Sequence, residues 1–345
     1  MYLKRFSSVS RPSPPLRLDL PVSNTLALAC RAERGRTLRS RSEALSAWAE
    51  DAPRGRITVL GEGSNVLLPP RLTGTVWHLG ALAPRFERHG RVEVFGGLPL
   101  DALVRAACQE ELWGLENLSA IPGTVGAAPV QNVGAYGQSL DEVVEALEVL
   151  DLRTGQCAWW SAKDCAFSYR DSRFRRSLGA YLVLTLRLRL HRSGHPVLGY
   201  AGVEARLAQC LSPGVQARPS DLAQAVRALR AEKLPDWHRL PNVGSFFKNP
   251  QLSQEAFQRL CARAPELALR PFASSGGKVS AAALIQGAGW RGRRRGPVGM
   301  AQKHALVLVN YGGASRDDVD WLAGSVQASV YARYGVRLER EPLHL

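Results

Sequence analysis

Between residues 181 and 190 every second position is leucine: Leu182, Leu184, Leu186, Leu188 and Leu190, with Arg187 and Arg189 on the opposite face. This period of two predicts a half-buried strand. Residues 143–152, 56–60, 75–79 and 92–96 predict further strands, and an extended run at 66–68 ends at Pro69 and Pro70. Helical spacing appears at 37–49, where Leu38, Ala44, Leu45 and Trp48 share a face, and at 100–109, which Asp101 opens. Downstream, residues 219–232 carry a stripe of Leu222, Val226 and Leu229 behind Ser220 as N-cap. Residues 253–264, 281–287 and 317–334 predict three more helices, 305–310 a buried strand and 336–341 a closing strand. Mixed strands therefore come first and a helix-rich α/β region follows, with a linker at 212–220. Neither an internal repeat nor a low-complexity tract interrupts this order.

One stretch fits neither rhythm. Residues 114–137 hold Gly114, Gly123, Gly126, Gly134 and Gly137 together with Pro122 and Pro129. They are too apolar for a linker and too rich in glycine for a helix or a central strand, which suggests backbone held close to a ligand. Small residues from Ile121 onward would let a flat aromatic ligand lie against the backbone, and Gln131 and Asn132 offer amides to its polar edge or to a phosphate. A packed glycine corner explains the glycines but not the paired amides or the length.

Three shorter motifs carry further chemistry. Gly61, Glu62, Gly63, Ser64 and Asn65 follow a strand, but no helix follows them and the GxGxxG spacing is absent, so the βαβ dinucleotide motif is excluded. Their backbone donors suit a diphosphate; an ordinary hairpin turn explains the pentapeptide equally well. Arg170 lies among Phe167 and Tyr169 and could grip a carboxylate bidentately. Taken alone, a surface ion pair with Asp171 accounts for it better. Ser245 in a Gly-Ser-Phe-Phe turn could be a positioned hydroxyl, or part of a capped turn before Pro250. It lacks the GxSxG context and the triad order of a hydrolase.

The chain has 345 residues, 45% hydrophobic and 22% charged, enough for two or three domains with their own cores. Formal net charge is +15, but only six of the 45 basic residues are Lys. So lopsided a ratio reads as a coding bias rather than a nucleic-acid face, while leaving positive charge for small anions. Six cysteines without CxxC spacing read as buried small hydrophobes in a reducing compartment, with no metal site. The Arg- and Ser-containing start has no apolar core of a secretory signal, and no run approaches a membrane span.

Taken together and in order, the loop at 61–65, the stretch at 121–137, Tyr169, Arg170, Asp171 and Ser172, then Lys233, Leu234 and Pro235, and the turn at 244–250 resemble the flavin-dependent UDP-N-acetylenolpyruvylglucosamine reductase family of bacterial cell-wall synthesis. The match runs from Asn24 to Glu341. Residues 197–200, Val-Leu-Gly-Tyr, resemble the tyrosine-bearing insertion of one subtype. The resemblance implies an α+β fold of three domains behind a flexible basic extension at 1–22. Two of them, 23–80 and 81–218, form a FAD-binding unit of the vanillyl-alcohol-oxidase (PCMH) type; 219–345 form an α/β substrate-binding domain.

The resemblance also implies NADPH and FAD, the latter non-covalent because 61–65 contain neither His nor Cys. It places Gly61, Glu62, Gly63, Ser64, Asn65, Ile121, Pro122, Gly123, Thr124, Val125, Gly126, Gln131, Asn132 and Tyr136 at the cofactor. Tyr200, Arg230, Lys233, Asn249 and His304 go to a UDP-sugar. Ser245 is the proton donor, Arg170 the partner of the substrate carboxylate, and Glu341 a protonated hydrogen-bond donor. A shifted C-terminal register would put Glu339 in that place. Gln286 stands where an acid is common, and residues 291–295 form a solvated loop or meet an NADPH phosphate. The expected partner is the small UDP-sugar, without nucleic acid or membrane, for a monomeric cytoplasmic enzyme. A hydroxy-acid oxidase on the same scaffold would be yellow but ignore the UDP-sugar; an Arg-rich nucleic-acid binder would be colourless. A degenerate binding subunit would have no reason to keep Ser245, Arg170 and a terminal Glu.

Overall fold

The computed structural model describes residues 13–194, 196–211, 214–267 and 277–345. The fold is α+β and divides into two units. One comprises residues up to Leu20, Arg31–Gly61 and Leu72–Val226; the other comprises Pro21–Cys30, Glu62–Arg71 and Arg227–Leu345.

In the first unit, strands Arg17–Pro21, Arg31–Leu38, Arg71–Leu79 and Ile57–Val59 lie side by side in that order. Strand 17–21 falls where a flexible extension was expected. Leu20 explains it: its side chain lies against the backbone of Gly35, and Arg36 donates to the Pro14 carbonyl at 2.7 Å. The rest of the expected extension, residues 1–12, lies outside the described residues. Helix α1 (Arg41–Asp51) begins four residues later than its periodicity suggested. Leu38 is fully buried but belongs to the preceding strand, and Ser40 caps the helix by accepting from Glu43 N–H at 3.1 Å.

A five-stranded antiparallel sheet follows, ordered Cys157–Ser161, Val144–Asp151, Tyr181–Arg189, Arg91–Phe95 and Arg85–Phe86. The alternating leucines point inward, with Leu184, Leu186 and Leu188 fully buried. Helix α2 (Leu100–Gln109) covers this core with Leu103, Val104 and Ala107. Asp101 does not cap it; Pro99 stands at the N-cap, and Asp101 accepts from Ala120 N–H at 2.6 Å. Short α3 (Arg173–Arg176) and α4 (Val203–Cys210) come next. Helix α5 (Pro219–Lys233) starts at proline, whose fixed φ suits a first turn, so Ser220 lies inside the helix and not at its cap. The division between units falls within α5. Of the expected linker, Ser212 and Pro213 lie outside the described residues.

In the second unit, strands Asn242–Ser245, Val307–Asn310, Val298–Met300 and Arg294–Arg295 form an antiparallel sheet. Helices α6 (Gln254–Arg263), α7 (Ala281–Gly287) and α8 (Arg316–Tyr334) enclose a core containing Phe246, Phe247, Ile285, Leu308, Leu322 and Val326. Leu26, Leu28 and Leu67, from the two early segments, belong to the same core. Asn310 Nδ2 donates to the Leu26 carbonyl at 2.8 Å, and Val66–Leu67 pairs in parallel with Leu343–His344. Residues 336–341 are not a strand. Val336 and Leu338 alternate because they pack into the core; the Leu338 carbonyl accepts from Gln327 of α8, and the β-type pairing at Arg340 is an isolated bridge to Phe247.

Of the six cysteines, Cys30, Cys108 and Cys165 are buried, Cys157 and Cys261 half-buried, and Cys210 exposed, which corrects the expectation of uniform burial for that last thiol. Burial pushes the Cys165 thiol up to about 12. Among the described residues no helix is long and apolar enough to cross a membrane, and no cluster of His, Cys, Asp or Glu could hold a metal ion.

Candidate active site

The glycine-rich stretch is built from short turns. Residues Glu116–Leu118 and Ala128–Gln131 are single 3-10 turns, and Gly134–Ala135 pairs with Gln138–Ser139 as a minimal hairpin. Between the turns, Ile121 and Pro122 lead into backbone bonds that dock 123–126 on residues 96–100. The Gly123 carbonyl accepts from Leu100, Val125 N–H donates to Leu98, and Gly126 N–H donates to Gly96, each at 2.8 Å. Gly61 lies against the same segment. A Cβ there would stand 2.7 Å from Thr124 Oγ1 and 3.2 Å from Ala127 Cβ, so only bare backbone fits. His78 hydrogen-bonds to the backbone at Leu60 and Gly61; burial lowers its pKa, and those bonds oppose the fall. Glu62, Gly63, Ser64 and Asn65 fall in the second unit. There Thr25 N–H donates to the Gly63 carbonyl at 3.2 Å, Thr25 Oγ1 to Ser64 at 3.3 Å, and Leu343 N–H to Asn65 at 3.0 Å. Bare backbone at Gly61 beside a run of small residues lets a ligand lie close against the main chain, and these residues fit FAD.

The two amides expected to serve a ligand differ in placement. Gln131 is half-buried at the end of its turn. Asn132 is buried, with left-handed φ of 45°; its Nδ2 donates to the Ser168 carbonyl at 3.3 Å and its Oδ1 accepts from Asp141 N–H at 3.1 Å. Asn132 thus ties the glycine-rich stretch to the Arg170 loop. Ser172 does the same, fully buried and donating to the Val130 carbonyl at 2.6 Å. Arg170 itself has φ of 53° and donates through Nη2 to the Gly134 carbonyl. Its guanidinium also lies 5.4 Å from the Tyr169 ring centre. The ion pair weighed for Asp171 goes elsewhere, to Arg176. Asn132, Tyr136 and Arg170 all adopt left-handed backbone, three of nine such non-glycine residues among those described. Tyr200 is exposed, and its ring meets Tyr136 edge to face at 4.9 Å.

In the second unit Ser245 ends the strand Asn242–Ser245, opposite Val307. Phe246, next in the chain, donates to the Leu306 carbonyl and accepts from Glu341 N–H, both at 2.9 Å. Glu341 is buried, whereas Glu339 has a side chain 66% exposed and pairs with Lys248. Asn249 Oδ1 accepts from Ala281 N–H at 2.9 Å, at the start of α7. Arg230 and Lys233 occupy the last turn of α5. His304 is held below its usual pKa by burial first, then by the charges of Lys233 and Arg291. Leu306 N–H donates to His304 Nδ1 at 3.3 Å, which puts the neutral ring's proton on Nε2. Arg291 in turn donates to the Gln302 carbonyl at 2.8 Å and to Gln286.

A model of the C-terminal domain of UDP-N-acetylenolpyruvoylglucosamine reductase matches residues 235–345, and a FAD binding domain model matches residues 38–161. The chain is 43% identical over 346 residues to the UDP-N-acetylenolpyruvoylglucosamine reductase of Azoarcus sp., covering 96% of this chain and 99% of the relative. This chain belongs to the UDP-N-acetylenolpyruvoylglucosamine reductase family. The reductase of Pseudomonas putida is 38% identical, covering 94% of this chain and 97% of its own. The crystal structure of the Thermus caldophilus UDP-N-acetylenolpyruvylglucosamine reductase shares the fold, with a TM-score of 0.67 at 24% identity over 96% of this chain and 98% of that one.

The motifs alone do not mark three residues that the fold sets beside candidate site residues of their own unit. His78 lies beside Gly61 although it is distant in sequence, and nothing local marks it. Arg291 was grouped with the Arg293, Arg294 and Arg295 run, but only Arg291 is linked electrostatically to His304. The others stack on aromatic rings: Arg293 on Trp290, Arg294 on Tyr311 and Arg295 on Trp321. Asn117 is the third; it is a fully buried amide between Glu116 and Leu118, and nothing in the sequence around it shows that burial.

Proposed function

We propose that the chain reduces the enolpyruvyl ether of UDP-N-acetylglucosamine to the lactyl ether of UDP-N-acetylmuramate, with Ser245 as proton donor. Family membership makes it an FAD- and NADPH-dependent oxidoreductase of peptidoglycan precursor synthesis acting on UDP-N-acetylenolpyruvylglucosamine. When bound, held by residues of the loop at 61–65 and the stretch at 121–126, FAD would supply the hydride chemistry that carries reducing equivalents from NADPH to the enolpyruvyl double bond.

The remaining work falls to side chains of the protein. Negative charge builds on the neighbouring carbon and its carboxylate, and it is best met by groups oriented beforehand. Arg170 is the carboxylate's partner, and its bond to the Gly134 carbonyl supports that role by orienting the guanidinium. Glu341 in its protonated form donates a hydrogen bond where an ionised carboxylate would repel. Ser245 then gives its hydroxyl proton to the enol carbon. A hydroxyl is a weak acid, so neighbouring donors or cations must stabilise the oxygen it leaves. Lys233, with Arg230, Asn249 and His304, binds the UDP-sugar, and Tyr200 meets its phosphates. Arg291 adds positive charge near Lys233 and His304, in keeping with a diphosphate.

The observation that carries this reading is the joining of Ser245 and Glu341 through one residue: Phe246 follows Ser245 just past the end of the strand, and its carbonyl holds Glu341 N–H. Ser245→Ala tests it. We expect the visible flavin spectrum and its bleaching by NADPH to persist, while recovery of colour on adding the UDP-sugar slows about 10²–10⁴-fold. Equal loss in both half-reactions would overturn the role of Ser245.

A further inference from the structure

Asn117 is fully buried in the turn Glu116–Leu118. A buried amide is costly unless its N–H groups are matched. Its Nδ2 donates to two carbonyls far apart in sequence, Tyr136 at 2.6 Å and Val197 at 2.9 Å. Its backbone N–H donates to Gln138 Oε1 at 3.2 Å. Its Oδ1 is buried with no hydrogen-bond partner among the described residues. The side chain therefore carries a desolvation cost in order to hold two main-chain segments together.

Those segments are the hairpin around Tyr136 and the loop that carries Tyr200. Two separate observations show them seated on each other. Gly137, with φ of 89°, has no Cβ; one placed there would stand 3.3 Å from Val197 Cγ1 and 4.0 Å from Tyr200 Cβ. The Tyr136 and Tyr200 rings meet at 4.9 Å with planes 65° apart. Tyr136 itself is left-handed, at φ of 51°, a conformation that needs outside restraint in a bulky residue. The Asn117 bond to its carbonyl supplies one.

We propose that Asn117 is a positioning residue for substrate binding: its carboxamide sets the Tyr200 loop against Tyr136, so that Tyr200 stands ready for the UDP-sugar. The proposal rests on the substrate role given to Tyr200 above. Asn117→Leu keeps the volume and removes the donors. In the holoenzyme it should raise KM for the UDP-sugar about tenfold while leaving flavin content and bleaching by NADPH unchanged.

The decisive measurement is a double-mutant cycle with Tyr200→Ala. Tyr200→Ala alone should raise KM, and adding Asn117→Leu should raise it no further. A merely structural Asn117 would depress both half-reactions and would add to Tyr200→Ala, which overturns the proposal while leaving the role of Tyr200 intact. An unchanged KM in Tyr200→Ala overturns the role of Tyr200 and the proposal with it. If Asn117→Leu does not fold, Gly137→Ala, at an exposed position, takes its place in the same cycle: a rise in KM that vanishes in Tyr200→Ala supports the shared seat, and an unchanged KM overturns it.

Discussion

Arg36 and Arg170 both lie in the first unit and both donate to a backbone carbonyl, yet their surroundings differ. The Arg36 side chain is 3% exposed and is clamped by carboxylates, Asp51 with a side chain 0% exposed and Glu50 at the rim. Asp51 also accepts from Trp77 Nε1 at 2.9 Å, closing a buried network. Arg170 is aimed by the Gly134 carbonyl and by its own left-handed backbone, while the adjacent Asp171 is engaged by Arg176. The first arrangement uses charge to fix a fold; for the second we propose a carboxylate ligand. A buried cation clamped by buried carboxylates is committed to holding the fold, whereas a guanidinium oriented by a main-chain carbonyl on a loop is the one we assign to an incoming anion.

Substitution can test that contrast. Asp51→Ala strands a buried guanidinium and the Trp77 N–H, and should cost about 3–5 kcal/mol in denaturant unfolding. Both half-reactions, measured per folded molecule, should remain; loss of activity without loss of stability would erase the distinction. Arg170→Ala should do the reverse, slowing only the substrate half-reaction by about 10²–10³-fold in single-turnover recovery of flavin colour. Ser172→Ala falls between, since Ser172 both caps α3 and holds the Arg170 loop to Val130. It should lose about 1–2 kcal/mol in the same unfolding assay, with a smaller slowing of the substrate step.

The smallest effect is expected at the surface, where Glu145 lies between Arg91 and Arg189. Their hydrogen bonds and charges pull its pKa from 4.5 to about 2. Because the folded value is the lower one, the ionised form stabilises the fold. That contribution is complete above about pH 5 and is lost as pH falls through 4.5 towards 2. Glu145→Gln should flatten the acid limb of unfolding midpoint against pH and leave the neutral range nearly unchanged. An unaltered acid limb would mean that the pair adds nothing.

Local pattern revealed elements wherever packing and chain rhythm agreed. α2 and α7 begin and end where their apolar spacing does, and the leucine alternation marks a strand whose even positions are buried. Rhythm misled at 336–341, where Val336 and Leu338 alternate to fill a core without joining a ladder. It also passed over 17–21, whose partner strand lies further along the chain. The motifs singled out Arg170 and Ser245, the residues to which we assign the two halves of the chemistry. They did not reveal what steadies it: Asn117, Asn132 and Ser172 act through carbonyls 19 to 80 positions away, and only folding creates those neighbours.

Cys210 offers a practical consequence. It is the one exposed thiol of six, and it ends α4, the helix that begins three residues after Tyr200. A helix of eight residues is about 12 Å long. A maleimide dye on the native chain would therefore sit near the tyrosine loop without any engineered cysteine, and a change in its emission on adding the UDP-sugar would read whether that loop responds.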